Sequence, residues 1–244
     1  MLPNIRIVLV QTYHPGNIGA SARAMKTMGL TDLVLVNPRR FPDPEATRLA
    51  AGAEELVENA RVVGSLAEAV ADCVQVVGAS ARLRSLPLPH FDEPDAMARE
   101  LVEHAATAPV ALVFGRERSG LTNDEIRLCS HQVSIPAEYG ILNLSQAVQV
   151  LAYEAFKAWR QRPESGYLPQ RPEEERAPSR EQLGHFHDHL ARVMQASGFL
   201  TQPHARTEAQ LQALFARAQP SRKELSLLRG LLASLEQHLP ERKG

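Results

Sequence analysis

Ile5-Arg6-Ile7-Val8-Leu9-Val10-Gln11-Thr12-Tyr13-His14-Pro15-Gly16-Asn17-Ile18-Gly19-Ala20-Ser21-Ala22-Arg23-Ala24-Met25-Lys26-Thr27-Met28-Gly29 changes its hydrophobic period partway along. Ile5 to Val10 is a short apolar run bounded by turn residues, which reads as a buried strand. Asn17 is the expected cap of the helix that follows, with an apolar stripe of Ile18, Ala22 and Met25 and a stop at Gly29. Residues 33–36 return to an apolar run, so the unit is strand, helix, strand.

The same alternation continues outward. Ser65-Leu66-Ala67-Glu68 has the form of a capping box and opens a helix that leads to a strand at 74–77. Residues 109–114 form a further strand, Thr122-Asn123-Asp124-Glu125 a second capping box, and 133–135 one more strand. Strands alternating with helices predict an α/β fold with a parallel sheet. From Ser145 a helix carries Val148, Ala152, Ala155 and Trp159 at helical spacing and ends near Arg160-Gln161-Arg162-Pro163.

Residues 161–179 hold four prolines and the run Glu173-Glu174-Glu175, a linker composition. Beyond it the pattern is helical. Leu183, Phe186, Leu190 and Val193 share one face, Leu211, Leu214 and Phe215 follow, then Leu225, Leu228, Leu232 and Leu235. Thr207 with Gln210 and Ser221 with Glu224 supply two more capping boxes. The expected domains are therefore 1–160, a linker at 161–179, and a helical extension at 180–244.

Bulk composition narrows the partners. The 244 residues carry a formal charge of −1, and residues 160–244 hold 13 Lys and Arg against 10 Asp and Glu. Nucleic-acid contact must come from local patches rather than a whole-protein field. Cys73 and Cys129 lie in or beside apolar runs with no zinc spacing, as buried thiols in a reducing compartment do. Met1-Leu2-Pro3-Asn4 runs into the first strand without a basic n-region and an apolar h-region, and no apolar run reaches the roughly 20 residues of a membrane span. A cytoplasmic protein with no membrane partner is expected. His185, His187 and His189 raise a metal reading, but no carboxylate or Cys completes a set, so no metal is expected.

Three segments carry the chemistry. Gly19, Arg23 and Lys26 fall on one helix face, where a glycine under an arginine fork suits a phosphate or ribose; an ordinary solvated face is the plain alternative. Gly16-Asn17-Ile18-Gly19 also has the form of a KH-module loop, but a strand precedes it where that module needs a helix. Gly115 and Gly120 bracket Glu117 in a loop after a strand, with neither a Walker lysine nor a G-x-S-x-G elbow. Asn143 and Ser145 stand at a helix start, where both are favoured simply as caps. Ile141, Leu142 and Leu144 make the preceding loop apolar, which suits a pocket for a flat, uncharged ring.

Taken together, Asn17-x-Gly19-x-x-x-Arg23, Phe114-Gly115-x-Glu117-x-x-Gly120-Leu121, and Ile135-Pro136 followed by Leu142-Asn143-Leu144-Ser145-x-Ala147 resemble the three motifs of SPOUT-superfamily, SpoU-like RNA 2′-O-methyltransferases. The resemblance spans residues 4–160. Gly78-Ala79-Ser80-Ala81-Arg82 and the helical tail look most like the branch that methylates the ribose at tRNA position 32. It implies a Rossmann-like core with a deep trefoil knot, S-adenosylmethionine as cofactor, tRNA as substrate, and a homodimer with a shared site. By the same resemblance Ala79, Ser80, Ala81, Gly115, Glu117, Ile135, Leu142, Asn143 and Leu144 hold the cofactor. Asn17, Gly19, Lys26, Arg82 and Arg84 face RNA, while Arg23 and Ser145 carry the catalytic step. A ribosomal RNA methyltransferase of the same fold and a non-catalytic RNA-binding protein are the competing readings.

Overall fold

The computed structural model describes residues 4–80, 88–138, 140–162, 172–200 and 205–239. The chain divides into two compact units, Met1–Leu168 and Pro169–Gly244.

In the first unit the elements run β1 (Ile5–Val10), α1 (Pro15–Thr27), β2 (Asp32–Val36), α2 (Pro44–Ala50), α3 (Glu54–Glu58), β3 (Arg61–Val63), α4 (Leu66–Val70), β4 (Gln75–Ala79), β5 (His90–Phe91), α5 (Pro94–Ala105), β6 (Val110–Phe114), α6 (Asn123–Arg127), β7 (His131–Val133) and α7 (Leu144–Arg160). The seven strands form one parallel sheet in the order β3-β2-β1-β6-β4-β7-β5. Strand side chains alternate between faces. Ile5, Ile7 and Leu9 enter one apolar core with α1, α5 and α7, whereas Val8 and Val10 enter a second with α4 and Ile126 of α6. Both faces of the central strands are covered, so their residues are mostly apolar.

Arg6 is the polar exception within β1. It is 7% exposed, and its guanidinium donates to Asp32, to the Ala69 carbonyl and to both oxygens of Asp72. Burial opposes its charge, but the hydrogen bonds it donates to Asp72 and Asp32 outweigh that and raise its pKa. Cys73 beside it is pushed up to about 12 by burial, which leaves an inert thiol. Cys129 is likewise buried and in no disulfide, and its thiol donates to the Glu125 carbonyl at 3.5 Å.

Several boundaries differ from the sequence expectation. Helix α1 starts at Pro15, not after Asn17, because proline at the first helical position presets φ and needs no partner for a missing N–H. Asn17 therefore lies inside the first turn and is not the cap. The last strand is His131–Val133 rather than 133–135. His131 is buried by stacking on Phe91, so two polar residues occupy strand positions that an apolar pattern would not assign, and Pro136 cannot extend the ladder. Helix α5, with buried Met97, Ala98, Leu101 and Val102, was not anticipated. Asp43 accepting from Glu45 N, followed by Pro44, opens the equally unanticipated α2.

In the second unit, a 3-10 turn at Glu173–Glu175 precedes α8 (Arg180–Ala196), α9 (Ala205–Ala218) and α10 (Arg222–His238). Capping boxes at Ser179 with Gln182 and at Ser221 with Glu224 start α8 and α10. Helix α9 begins at Ala205, so Thr207 lies inside it rather than at its cap. Phe186, Val193, Leu225 and Leu232 form the core, with Phe215 edge-on to Phe186 at 4.7 Å, whereas Leu214 and Leu235 are exposed. His187 packs against both phenyl rings, and burial pushes it down to about 4, so it is neutral near pH 7. Among the described residues no group of three or more His, Cys, Asp or Glu is placed to hold a metal ion. No described helix is long and apolar enough to cross a membrane.

Candidate active site

The C-terminal ends of β4, β6 and β7 open onto a cleft, the position where parallel α/β sheets bind ligands. Its walls include Ala79 and Ser80 after β4, Phe114 to Gly120 after β6, Val133, Ile135 and Ala137 after β7, and Gly140, Ile141, Leu142, Leu144 and Ala147 at the start of α7. The space amounts to about 920 Å³, open solvent at the mouth included. Of the residues expected to hold a cofactor, Ala79, Ser80, Gly115, Glu117, Ile135, Leu142 and Leu144 border this cleft. Asn143 does not line it, and Ala81, Arg82 and Arg84 lie outside the described residues.

The loop after β6 closes on itself. Arg116 and Gly120 exchange backbone hydrogen bonds of 3.2 and 2.9 Å, and Gly120 takes the left-handed φ of 66° that this turn needs. Arg116 forks onto both oxygens of Glu125 at 2.9 Å and also donates to Gln11 Oε1 at 3.0 Å. Hydrogen bonding to Glu125 raises the Arg116 pKa; burial pushes Glu125 up, but its bonds to Arg116 and Thr122 hold it below the usual carboxylate range. Glu125 also completes the Thr122 capping box of α6, so one carboxylate starts a helix and clamps the cleft wall. Arg118, exposed on the same wall, has no hydrogen-bond or ion-pair partner among the described residues. Neither Arg118 nor the Arg116 clamp was anticipated; the clamp's only trace in sequence is two opposite charges flanking Gly120.

Glu117 is committed elsewhere than to the cleft. Its carboxylate accepts from Tyr13 N at 3.0 Å, His14 N at 3.1 Å and Asn17 Nδ2 at 3.0 Å, and so caps α1, whose own N-cap residue, His14, makes no side-chain bond. An ionised carboxylate only accepts, which turns the Asn17 amide so that its Oδ1 takes the bond from Asn143 Nδ2 at 3.1 Å. Asn143 then keeps its own Oδ1 for Ser145 N at 2.9 Å and Ser145 Oγ at 2.8 Å, capping α7, while Gln146 Oε1 accepts from Asn143 N at 3.1 Å. One hydrogen-bonded chain thus runs from Glu117 through Asn17 and Asn143 to Ser145 and joins all three segments.

Burial pushes the Glu117 carboxyl upward, but the bonds from Asn17, His14 and Tyr13 outweigh it and hold the group below the usual carboxylate range. A carboxylate whose folded pKa is depressed stabilises the fold above its unfolded pKa, and that contribution is lost as pH falls through the folded value. Glu117→Gln cannot satisfy all three donors with one oxygen and is expected to lower stability by roughly 2 kcal/mol at pH 7. Below about pH 4 the difference from the parent protein should shrink. Urea unfolding at both pH values measures it, and equal destabilisation at the two would remove this role.

The remaining expected residues sit apart from the cleft walls. Gly19 faces α2: a Cβ there would stand 2.0 Å from the Ala46 carbonyl oxygen, so the close approach it permits is that of a helix backbone rather than of RNA. Lys26 donates to the Gly52 carbonyl and pairs with Glu55 of α3. Arg23 is exposed on α1, and its guanidinium has no partner among the described residues.

The sheet and the cleft are those of a ligand-binding α/β domain, and the sequence profile that matches residues 4–153, the SpoU rRNA Methylase family, makes it a methyltransferase domain. The chain belongs to the SpoU methylase family. A second profile, the tRNA methyltransferase TrmJ C-terminal domain, matches residues 181–244. The chain is 50% identical over 240 residues to the tRNA (cytidine/uridine-2′-O-)-methyltransferase TrmJ of Klebsiella pneumoniae, covering 97% of this chain and 98% of that one. Among solved structures it resembles TrmJ from Z. mobilis ZM4, with a TM-score of 0.78, 33% identity, and coverage of 95% of this chain and 98% of that chain. A probable methylase family protein from Haemophilus influenzae Rd KW20 matches with a TM-score of 0.63 and 43% identity over 97% of each chain. The SpoU methyltransferase AviRb from Streptomyces viridochromogenes, solved in complex with the cofactor AdoMet, shares the fold at 23% identity, with a TM-score of 0.50 over 63% of this chain and 60% of that one.

Proposed function

We propose that the chain transfers the methyl group of S-adenosylmethionine to a ribose 2′-hydroxyl of tRNA, at nucleotide 32 of the anticodon loop. The observation that carries the reading is the joining of the three segments around one apolar cleft, in a chain 50% identical to enzymes named for this reaction. The cleft suits the cofactor: Phe114, Val133, Ile135, Leu142 and Leu144 offer an apolar bed for adenine, and the folded-back loop from Gly115 to Gly120 walls it.

S-Adenosylmethionine supplies a methyl group already activated on sulfonium, so no residue has to assist the leaving group. The protein's task is to align the 2′-oxygen and favour loss of its proton. Arg23 stabilises the developing alkoxide or the adjacent phosphate. Ser145, held by Asn143, orients the hydroxyl or the cofactor. Asn17 belongs to the RNA-facing side of the site through its link to Asn143. The proposal also keeps Lys26 of α1, which is paired with Glu55, and Arg82 and Arg84, which lie outside the described residues, as RNA contacts.

Arg23 does not border its own chain's cleft, which supports a homodimer in which it serves the partner's cofactor. The proposal extends to a trefoil knot around the second and third segments, to catalysis in residues 1–160, a linker at 161–179 and an extension at 180–244, and to a cytoplasmic enzyme. Incubation with methyl-labelled cofactor and total tRNA, followed by mapping of 2′-O-methyl positions, tests it. Label at ribose 32 is expected. Label only in ribosomal RNA would replace the substrate, and no cofactor binding would favour a non-catalytic RNA-binding protein.

A further inference from the structure

Tyr13 stands at the binding edge, 58% exposed, with its backbone fixed. Its N–H donates to Glu117, which borders the cleft, and the preceding Thr12 carbonyl accepts from Arg39 N at 3.0 Å. The Arg39 guanidinium lies 5.9 Å from the centre of the Tyr13 ring, and the His14 ring meets it edge-on at 4.9 Å. Arg39 is exposed and has no ion-pair partner among the described residues, whereas its neighbour Arg40 is paired with Asp43.

A single exposed aromatic is ordinary on a protein surface. Here the supporting backbone is not ordinary. Gln11, directly after β1, has φ 49°, and Asn37, directly after β2, has φ 44°. Left-handed conformation at a non-glycine residue persists only where surrounding bonds enforce it. Gln11 N is tied to the Val36 carbonyl, Gln11 Oε1 to Arg116, and Asn37 N to the Val63 carbonyl. Two strained loops at neighbouring strand ends thus present an aromatic face and an unpaired cation side by side, next to the cofactor cleft.

We infer that Tyr13 and Arg39 form a subsite for an unpaired nucleobase of the RNA substrate, the base stacking on the free face of Tyr13 and its phosphate meeting Arg39. This rests on the tRNA methyltransferase reading above. The stack steadies a loop nucleotide beside the methylated one, which makes the pair a determinant of RNA affinity rather than of the chemical step.

The test uses the full-length protein and full-length tRNA. Tyr13→Ala is expected to raise KM for tRNA about tenfold, with kcat within about twofold and cofactor affinity by calorimetry unchanged; Tyr13→Phe recovers most of the loss. In tRNA carrying 2-aminopurine at nucleotides flanking position 32, the parent protein and Tyr13→Phe should quench fluorescence on binding, and Tyr13→Ala should not. Arg39→Ala should raise KM less at high salt than at low salt. A Tyr13→Ala variant with parental KM and parental quenching overturns the subsite. Absence of methylation by the parent protein would instead sink the enzymatic reading, and Tyr13-dependent quenching would still decide the subsite.

Discussion

Arg23→Ala is expected to lower methyl transfer by roughly a thousandfold while S-adenosylmethionine binding changes by less than about twofold. The separation follows from position. Arg23 lies on α1, outside the cleft walls, with a guanidinium that no described residue neutralises. Its charge is therefore available to a substrate oxygen and contributes nothing to the walls. It also lies on a helix whose packing it does not support, since Ile18, Ala22 and Met25 carry the buried face. Arg23→Lys should recover only part of the rate, because an ammonium keeps the charge but loses the planar fork. Single-turnover transfer from labelled cofactor measures the chemical step, and calorimetry measures binding. Transfer by Arg23→Ala within tenfold of the parent rate would remove the assignment.

Gly115→Ala is expected to weaken cofactor binding at least a hundredfold while leaving most of the fold intact. A Cβ at Gly115 would stand 2.2 Å from the Gly120 carbonyl carbon and 2.3 Å from Leu121 N, both main-chain atoms that cannot swing aside. The paired bonds between Arg116 and Gly120 would have to open, and the wall that they hold would move into or away from the cleft. Overpacking of this kind typically costs about 1–3 kcal/mol of stability, which a core of this size can absorb. Gly120→Ala makes the comparison: nothing lies within 4 Å of its Cβ position, so only the left-handed φ is penalised, by about 1–2 kcal/mol. Calorimetry with circular dichroism as the folding check separates the two variants. Parental affinity in Gly115→Ala would show that the loop does not shape the cofactor site.

What could be read in advance was local. The turnover from strand to helix at residues 5–29 and the apolar loop before Asn143 both carry their signal in neighbouring residues, and both lead to the binding edge. Glu117 carries no such signal. Its partners, Tyr13, His14 and Asn17, are about a hundred positions away, and nothing near Glu117 distinguishes a carboxylate that binds a ligand from one that caps a distant helix. Gly19 misled for a related reason: a glycine that admits a ligand and one that admits a neighbouring helix look alike until α2 is in place. The position of β7 was missed because His131 and Gln132 are buried by stacking and pairing, which hydrophobic patterning does not register.

The strand order has a consequence for synthesis on the ribosome. β1 pairs with β2 as soon as both have emerged, but its other edge belongs to β6, with Ile5 opposite Val110, and β6 also separates β1 from β4. More than seventy residues must be translated between β2 and β6, about 4–15 s at bacterial elongation rates. Throughout that interval an apolar strand edge has no native partner, and such edges recruit strands from other chains. Nascent chains stalled before residue 110 should therefore be the aggregation-prone species, and completion of β6 should fill the vacant edge of β1 and one edge of β4 at once, leaving the other edge of β4 for β7.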